Sequence, residues 1–186
     1  MEEFKREARD ILLRSARDSI AYGLTQHKLM PVIIEKYPDQ LQSVRACFVT
    51  LLKEGMLRGC IGSLTAHQPL INDVVNNAFN AAFHDPRFPP LQVDELPLIS
   101  LDISVLSKPQ PLLINSESEL YQKLRPGIDG LILSDNGQRA TFLPSVWDQL
   151  PNPHDFVSHL KNKAGWASDY WSPTMQIETY TSELIS

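Results

Sequence analysis

The chain has 186 residues, 42% of them hydrophobic and 21% charged, with 8 Gly and 14 Pro. That is enough for about one domain at the usual ~150 residues per domain, and the averages exclude disordered, collagen-like and coiled-coil chains. Seventeen Lys and Arg against 22 Asp and Glu leave a net charge of −5, which disfavours nucleic acid and anionic lipid as partners. The start, Met1-Glu2-Glu3-Phe4-Lys5-Arg6, is charged and carries no signal-peptide pattern, and no apolar stretch approaches the ~20 residues that span a bilayer. With only Cys47 and Cys60 there is no disulfide framework. The expectation is a cytoplasmic protein with free thiols.

In chain order, Phe4, Ala8, Ile11, Leu12, Ser15 and Ala16 form one stripe of a helix over 2–22, with Gly23 as its stop. Residues 43–53 and 56–64, joined by Glu54-Gly55, read as a β-hairpin. Helical spacing returns from Pro69 to Phe83 through Ile71, Val74, Val75, Ala78, Phe79 and Ala82. Pro86, Pro89, Pro90 and Pro97 make 84–97 a structured loop, because each removes a backbone donor. Residues 98–106 alternate Ile99, Leu101, Ile103 and Val105 against Ser100, Asp102 and Ser104, a strand with one buried face.

A capping box, Ser116 with Glu119, predicts a short helix to Leu124, and Asn136-Gly137 predicts a hairpin turn between 130–133 and 139–143. Asn152-Pro153 starts a helix that stops before Gly165, and 175–181 alternates as a final strand. No linker divides the chain and no repeat is visible, so 1–186 reads as a single domain. The fold class is α+β, with helices packed on a mainly antiparallel sheet.

Chemistry concentrates in Leu57-Arg58-Gly59-Cys60-Ile61-Gly62 and in His84-Asp85-Pro86-Arg87-Phe88. Strand alternation puts Arg58, Cys60 and Gly62 on one face, where a guanidinium beside a thiol favours thiolate and glycines admit a ligand. His84 would be base to Cys60, with Asp85 orienting it. The competing reading makes Cys60 a small core residue, the glycines aids to tight packing, and His84, Asp85 and Arg87 a helix end with an ion pair.

No zinc spacing or Cys-x-x-Cys occurs, so no metal is expected, although a site from Cys60, His67 and His84 stays open. Gly59 to Gly62 and Gly127 to Gly130 fall short of any dinucleotide or Walker pattern, and no cofactor is expected. Trp147, Trp166, Tyr170 and Trp171 are either core or a stacking platform for a base or sugar.

These strings, together with Ala78 to Phe88, Ile103-Ser104-Val105-Leu106-Ser107, Gly127-Ile128-Asp129-Gly130-Leu131 and Lys163-Ala164-Gly165, resemble the AMMECR-type domain. In bacteria and archaea that family is called AmmeMemoRadiSam system protein A. The match runs in order across nearly the whole chain, departing at Trp166-Ala167-Ser168, where a leucine-rich turn belongs. The resemblance implies a compact α+β domain with an antiparallel sheet and a smaller lobe. Cys60, His84, Arg58, Gly59, Gly62, Asp85 and Arg87 would line a groove between them.

The family brings no established activity. It implies company with Memo-like and radical SAM proteins, and so a binding or accessory component that takes a small anion or peptide, with Arg58 and Arg87 as clamps. The alternative is a cysteine-dependent enzyme using Cys60 with Arg58 and His84. Whether there is catalysis stays open on sequence alone.

Overall fold

A computed structural model describes residues 4–186, so the predicted helix start at Glu2 lies outside the described residues. The chain forms two compact units, one of residues up to Ser107 together with Glu183–Ser186, the other of Lys108–Ser182. Each has its own four-stranded sheet and its own hydrophobic core. The α+β class and the antiparallel pairing hold, with the strands shared between two sheets.

In the first unit, α1 (Arg6–Gln26) precedes a 3-10 turn at Ile34–Lys36 and the short α2 (Asp39–Gln42). The hairpin is β1 (Cys47–Lys53) and β2 (Met56–Gly62), turned at Glu54 and Gly55 with φ of 52° and 77°. Then come α3 (Leu70–Phe83), a 3-10 helix at Val93–Leu98 and β3 (Ile99–Leu106). The sheet order is β2-β1-β3 followed by β8 (Ser182–Ile185), so β2 lies at one margin. Ile99, Leu101, Ile103 and Val105 are buried as their alternation requires.

Gly23 does not stop α1. The helix continues one further turn to Gln26, and His27 takes the left-handed conformation at its end, φ 53°. Gly23 belongs to a face of small buried residues, Ser15, Ala16, Ser19 and Gly23, against which α3 packs; Ser19 Oγ donates to Val75 O at 2.8 Å. Small side chains allow the two backbones to approach closely, and the serine's polar atom is satisfied across the contact.

The second unit holds β4 (Gln110–Pro111), α4 (Glu117–Lys123), β5 (Gly130–Asp135), β6 (Gln138–Phe142), α5 (Pro153–Lys163) and β7 (Gln176–Tyr180), with sheet order β4-β7-β5-β6. Ser116 Oγ accepts from Glu119 N, and Asn152 Oδ1 accepts from His154 N, as the capping signals predict. Asn136 and Gly137 turn the hairpin with φ of 49° and 80°. Trp147 is core: its ring stacks on Phe156 at 3.8 Å and its Nε1 donates to Asp129 O at 2.7 Å. Among the described residues no helix is long and apolar enough to cross a membrane.

Candidate functional site

The site residues lie on three elements of the first unit: β2, the end of α3 with the loop after it, and the 3-10 helix at Val93–Leu98. Their arrangement starts with a β-bulge. Leu51 faces Gly59 but Leu52 faces Leu57, so Arg58 is the additional residue on β2. The alternation that would align Arg58 with Cys60 and Gly62 is interrupted there. Arg58 turns to Glu95 instead, donating from Nε at 3.0 Å and from Nη2 at 2.9 Å, a bidentate pair.

Lys53 Nζ reaches the same carboxylate at 3.0 Å, and the Gln92 N–H caps its other oxygen. These donors, led by Arg58, hold the Glu95 carboxyl down at about 2. Arg58 is 9% exposed, and its Nη1 is buried with no hydrogen-bond partner among the described residues.

The second half of the site is built on Cys60. Its N–H donates to Asp85 Oδ2 at 2.8 Å, and its carbonyl accepts from Arg87 Nη2 at 3.1 Å. Arg87 is also bidentate on Asp85, with Nε to Oδ1 at 2.9 Å and Nη2 to Oδ2 at 2.7 Å. The Arg87 bonds come first in holding the 4%-exposed Asp85 carboxyl well below the usual carboxylate range. The paired Asp85 likewise raises Arg87, with a smaller contribution from Cys60. The thiol lies half-buried and accepts from Thr50 Oγ1, its cross-strand partner, at 3.3 Å. The Phe88 ring has the Arg58 guanidinium 5.9 Å and that of Arg87 5.6 Å from its centre.

The glycines have packing roles. A Cβ on Gly59 would lie 2.2 Å from the Ala81 carbonyl oxygen of α3, and one on Gly62 would lie 2.2 Å from the Phe48 ring and 2.7 Å from Cys47 O. The lack of a side chain at Gly59 lets β2 and α3 meet this closely, and at Gly62 it makes room for Phe48 of β1.

The structure thus brings Cys60, Asp85 and Arg87 together. His84 has other partners: its Nδ1 is 2.9 Å from Asn80 Oδ1 and its ring stands edge-on to Phe79. Asp85 is bonded to Arg87 and the Cys60 backbone rather than to an imidazole. His67 is bonded through Nδ1 to Thr65 O, and among the described residues no three His, Cys, Asp or Glu side chains are grouped to hold a metal ion.

Sequence reasoning missed Glu95, Lys53, Thr50 and Asn80. The Gln92-x-x-Glu95 spacing, an observed capping box, was the available signal for the first. The other thiol, Cys47, is buried with its backbone N–H on Asp73, and burial, then the Asp73 charge, pushes it well above its ordinary value.

A model of the AMMECR1 family matches residues 13–185. The chain belongs to the AMMECR1 family. It is 34% identical over 180 residues to a protein of Methanothermobacter thermautotrophicus, covering 94% of this chain and 91% of the relative. It is 35% identical over 194 residues to Protein MK0488 of Methanopyrus kandleri, covering 99% and 90%. The crystal structure of the uncharacterized protein PH0010 from Pyrococcus horikoshii matches with a TM-score of 0.87 at 29% identity, over 97% of this chain and 92% of that one. The α+β fold is therefore shared with that protein.

Proposed function

We propose that this AMMECR1-family chain is a non-catalytic binding component that works with Memo-like and radical SAM proteins, and that the surface around Cys60, Asp85 and Arg87 is where it meets them. One observation carries this reading: the charged groups of the site are bound to one another and to backbone. Arg58 and Lys53 share Glu95, while Arg87 and Asp85 enclose the Cys60 peptide. A catalytic acid or base needs a proton it can give or take near neutral pH. Carboxyls held this low, Glu95 at about 2, are supports that stay charged near neutral pH. A rigid surface of this kind suits recognition, since little ordering remains to be done on binding. The half-exposed Arg87 presents the remaining donor capacity for a peptide or small anion.

The test is a binding titration of the purified chain against a Memo-like and a radical SAM protein from one genome. Cys60→Ala should leave affinity within about twofold, whereas Arg87→Ala should weaken it about tenfold or more, the usual loss for a charged contact at an interface. Failure of both proteins to bind overturns the reading.

The second reading, a cysteine-dependent enzyme, is favoured by the half-buried Sγ with the Thr50 hydroxyl on it and by the Arg87 guanidinium on the Cys60 carbonyl. It requires that Cys60→Ala abolish a turnover that Cys60→Ser partly keeps.

A further inference from the structure

Helices α1 and α3 pack on each other, and the last turns of both border one cleft of about 400 Å³. Gly23 makes the approach possible, because a Cβ there would lie 2.4 Å from the Phe83 ring and 2.9 Å from Phe79. The cleft takes Leu24 from α1 and His27 that caps it, Phe79 and Phe83 from α3 and His84 that caps it, and Val93 from the start of the 3-10 helix beyond. Among the described residues no Lys, Arg, Asp or Glu lines it.

Three features set its polarity, and all have one sign. His27 and His84 are the residues that end α1 and α3, so the carbonyl ends of two helices, 21 and 14 residues long, border the cleft. Each such end carries roughly half a negative charge. Phe79 and Phe83, their ring centres 4.9 Å apart, offer π-faces that attract cations. Finally, His84 Nδ1 meets the carboxamide oxygen of Asn80 at 2.9 Å. Oxygen accepts, so Nδ1 carries a ring proton, and Nε2 is the acceptor in the neutral tautomer that this bond selects.

We propose that this cleft binds a small organic cation: an ammonium group on a compact aromatic or branched apolar body. The apolar body packs against Leu24, Phe79 and Phe83, and the ammonium is held by the rings, the helix ends and the Nε2 lone pair. The volume is near the lower bound of ligand clefts, which selects a molecule of roughly phenylethylamine size. The inference stands apart from the partner-binding reading, since it uses neither Cys60, Asp85 nor Arg87.

The experiment titrates the full chain at about pH 8, where an aliphatic amine is still protonated, with three near-isosteric probes: 2-phenylethylamine, 2-phenylethanol and 3-phenylpropionate. Binding is followed by NMR shifts of the ring protons of Phe79, Phe83 and His84. The amine should bind about tenfold more tightly than the carboxylate, the alcohol falling between, as expected where cation–π and dipole terms act together. Val93, 69% exposed at the rim, allows a charge test without disturbing the core. Val93→Lys should weaken the amine about threefold and Val93→Glu strengthen it by a similar factor, with the thermal midpoint unchanged. Equal or tighter binding of the carboxylate overturns the proposal. So does the same effect from both Val93 variants, or no shift with ~10 mM amine, a concentration well above any useful affinity.

Discussion

Glu95 serves two cations, Arg58 and Lys53, and this sharing makes substitutions there unequal. Glu95→Ala leaves a nearly buried guanidinium without its counter-charge and should cost about 3 kcal/mol. Arg58→Met leaves Glu95 still paired with Lys53 and fills the same space with apolar atoms, so it should cost less than half as much. Urea unfolding of the two variants checks the order. The pH dependence follows from the same pair. The Glu95 carboxyl is held at about 2, below its ordinary 4.5. A carboxyl lowered by folding stabilises in full above its unfolded value and loses that contribution as pH falls towards its folded one. The stability gap between the native chain and Glu95→Gln should therefore be constant near pH 6 and close between about pH 4.5 and 2, read from urea midpoints across that range.

The two thiols give a further outcome at this scale. Cys47 is fully buried and raised by that burial, whereas Cys60 is partly accessible. Iodoacetamide should label Cys60 in the folded chain and reach Cys47 only on unfolding, mapped by peptide mass spectrometry. Equal labelling of both would contradict the packing described for β1. The residue types of the site were legible in the sequence, but their partners were not. Arg58 was expected beside the thiol because a regular strand alternates, and one additional residue at the bulge sends it to Glu95. That carboxylate stands 37 positions further on, a distance over which local pattern carries no information.

Among the elements, those with strong local chemistry were the ones the sequence disclosed. The Asn152 and Ser116 caps, the Asn136-Gly137 turn and the alternation of β3 each fix structure within a few residues, and each is present. Gly23 shows the limit. A glycine near the end of a helical stripe reads as a stop, yet its lack of a side chain is used for contact with α3, and the helix runs on. Strand β8 escaped for a related reason: Ser182–Ile185 has only four residues, too few for a pattern, and it is defined by the sheet it joins. Gly59→Ala belongs to this scale, because relief of a 2.2 Å overlap with the Ala81 carbonyl requires β2 and α3 to separate. The variant should lose about 2–3 kcal/mol, the upper range for overpacking, while Gly55→Ala, with nothing near its Cβ position, should lose less through its positive φ alone. Thermal unfolding ranks them.

At the scale of the molecule, the chain leaves its first unit at Ser107, builds a second, and returns at Glu183. The returning segment is tied in at several points. Glu183 accepts from the Phe4 N–H at 3.0 Å, Leu184 O accepts from Arg9 Nη2 at 2.9 Å, and Ile185 is fully buried in the first core. Removal of Glu183–Ser186 should raise amide hydrogen exchange across α1 and β3 while leaving β5, β6 and α5 protected, since the second core contains none of those residues. Uniform loss of protection would mean that the two cores unfold as one.

Cys60 sits on the outermost strand of its sheet, where backbone donors and acceptors have no neighbouring strand. Asp85 and Arg87 supply an acceptor and a donor to one residue, as a passing peptide would. They therefore act as a stopper against self-association: while the pair is in place, a second molecule cannot zip onto β2 there. Concentrated solutions of Asp85→Asn or Arg87→Ala should show more sheet-to-sheet association and larger aggregates in light scattering than the native chain. The pair that presents a surface to partners would then also keep one copy's edge strand from pairing with another's.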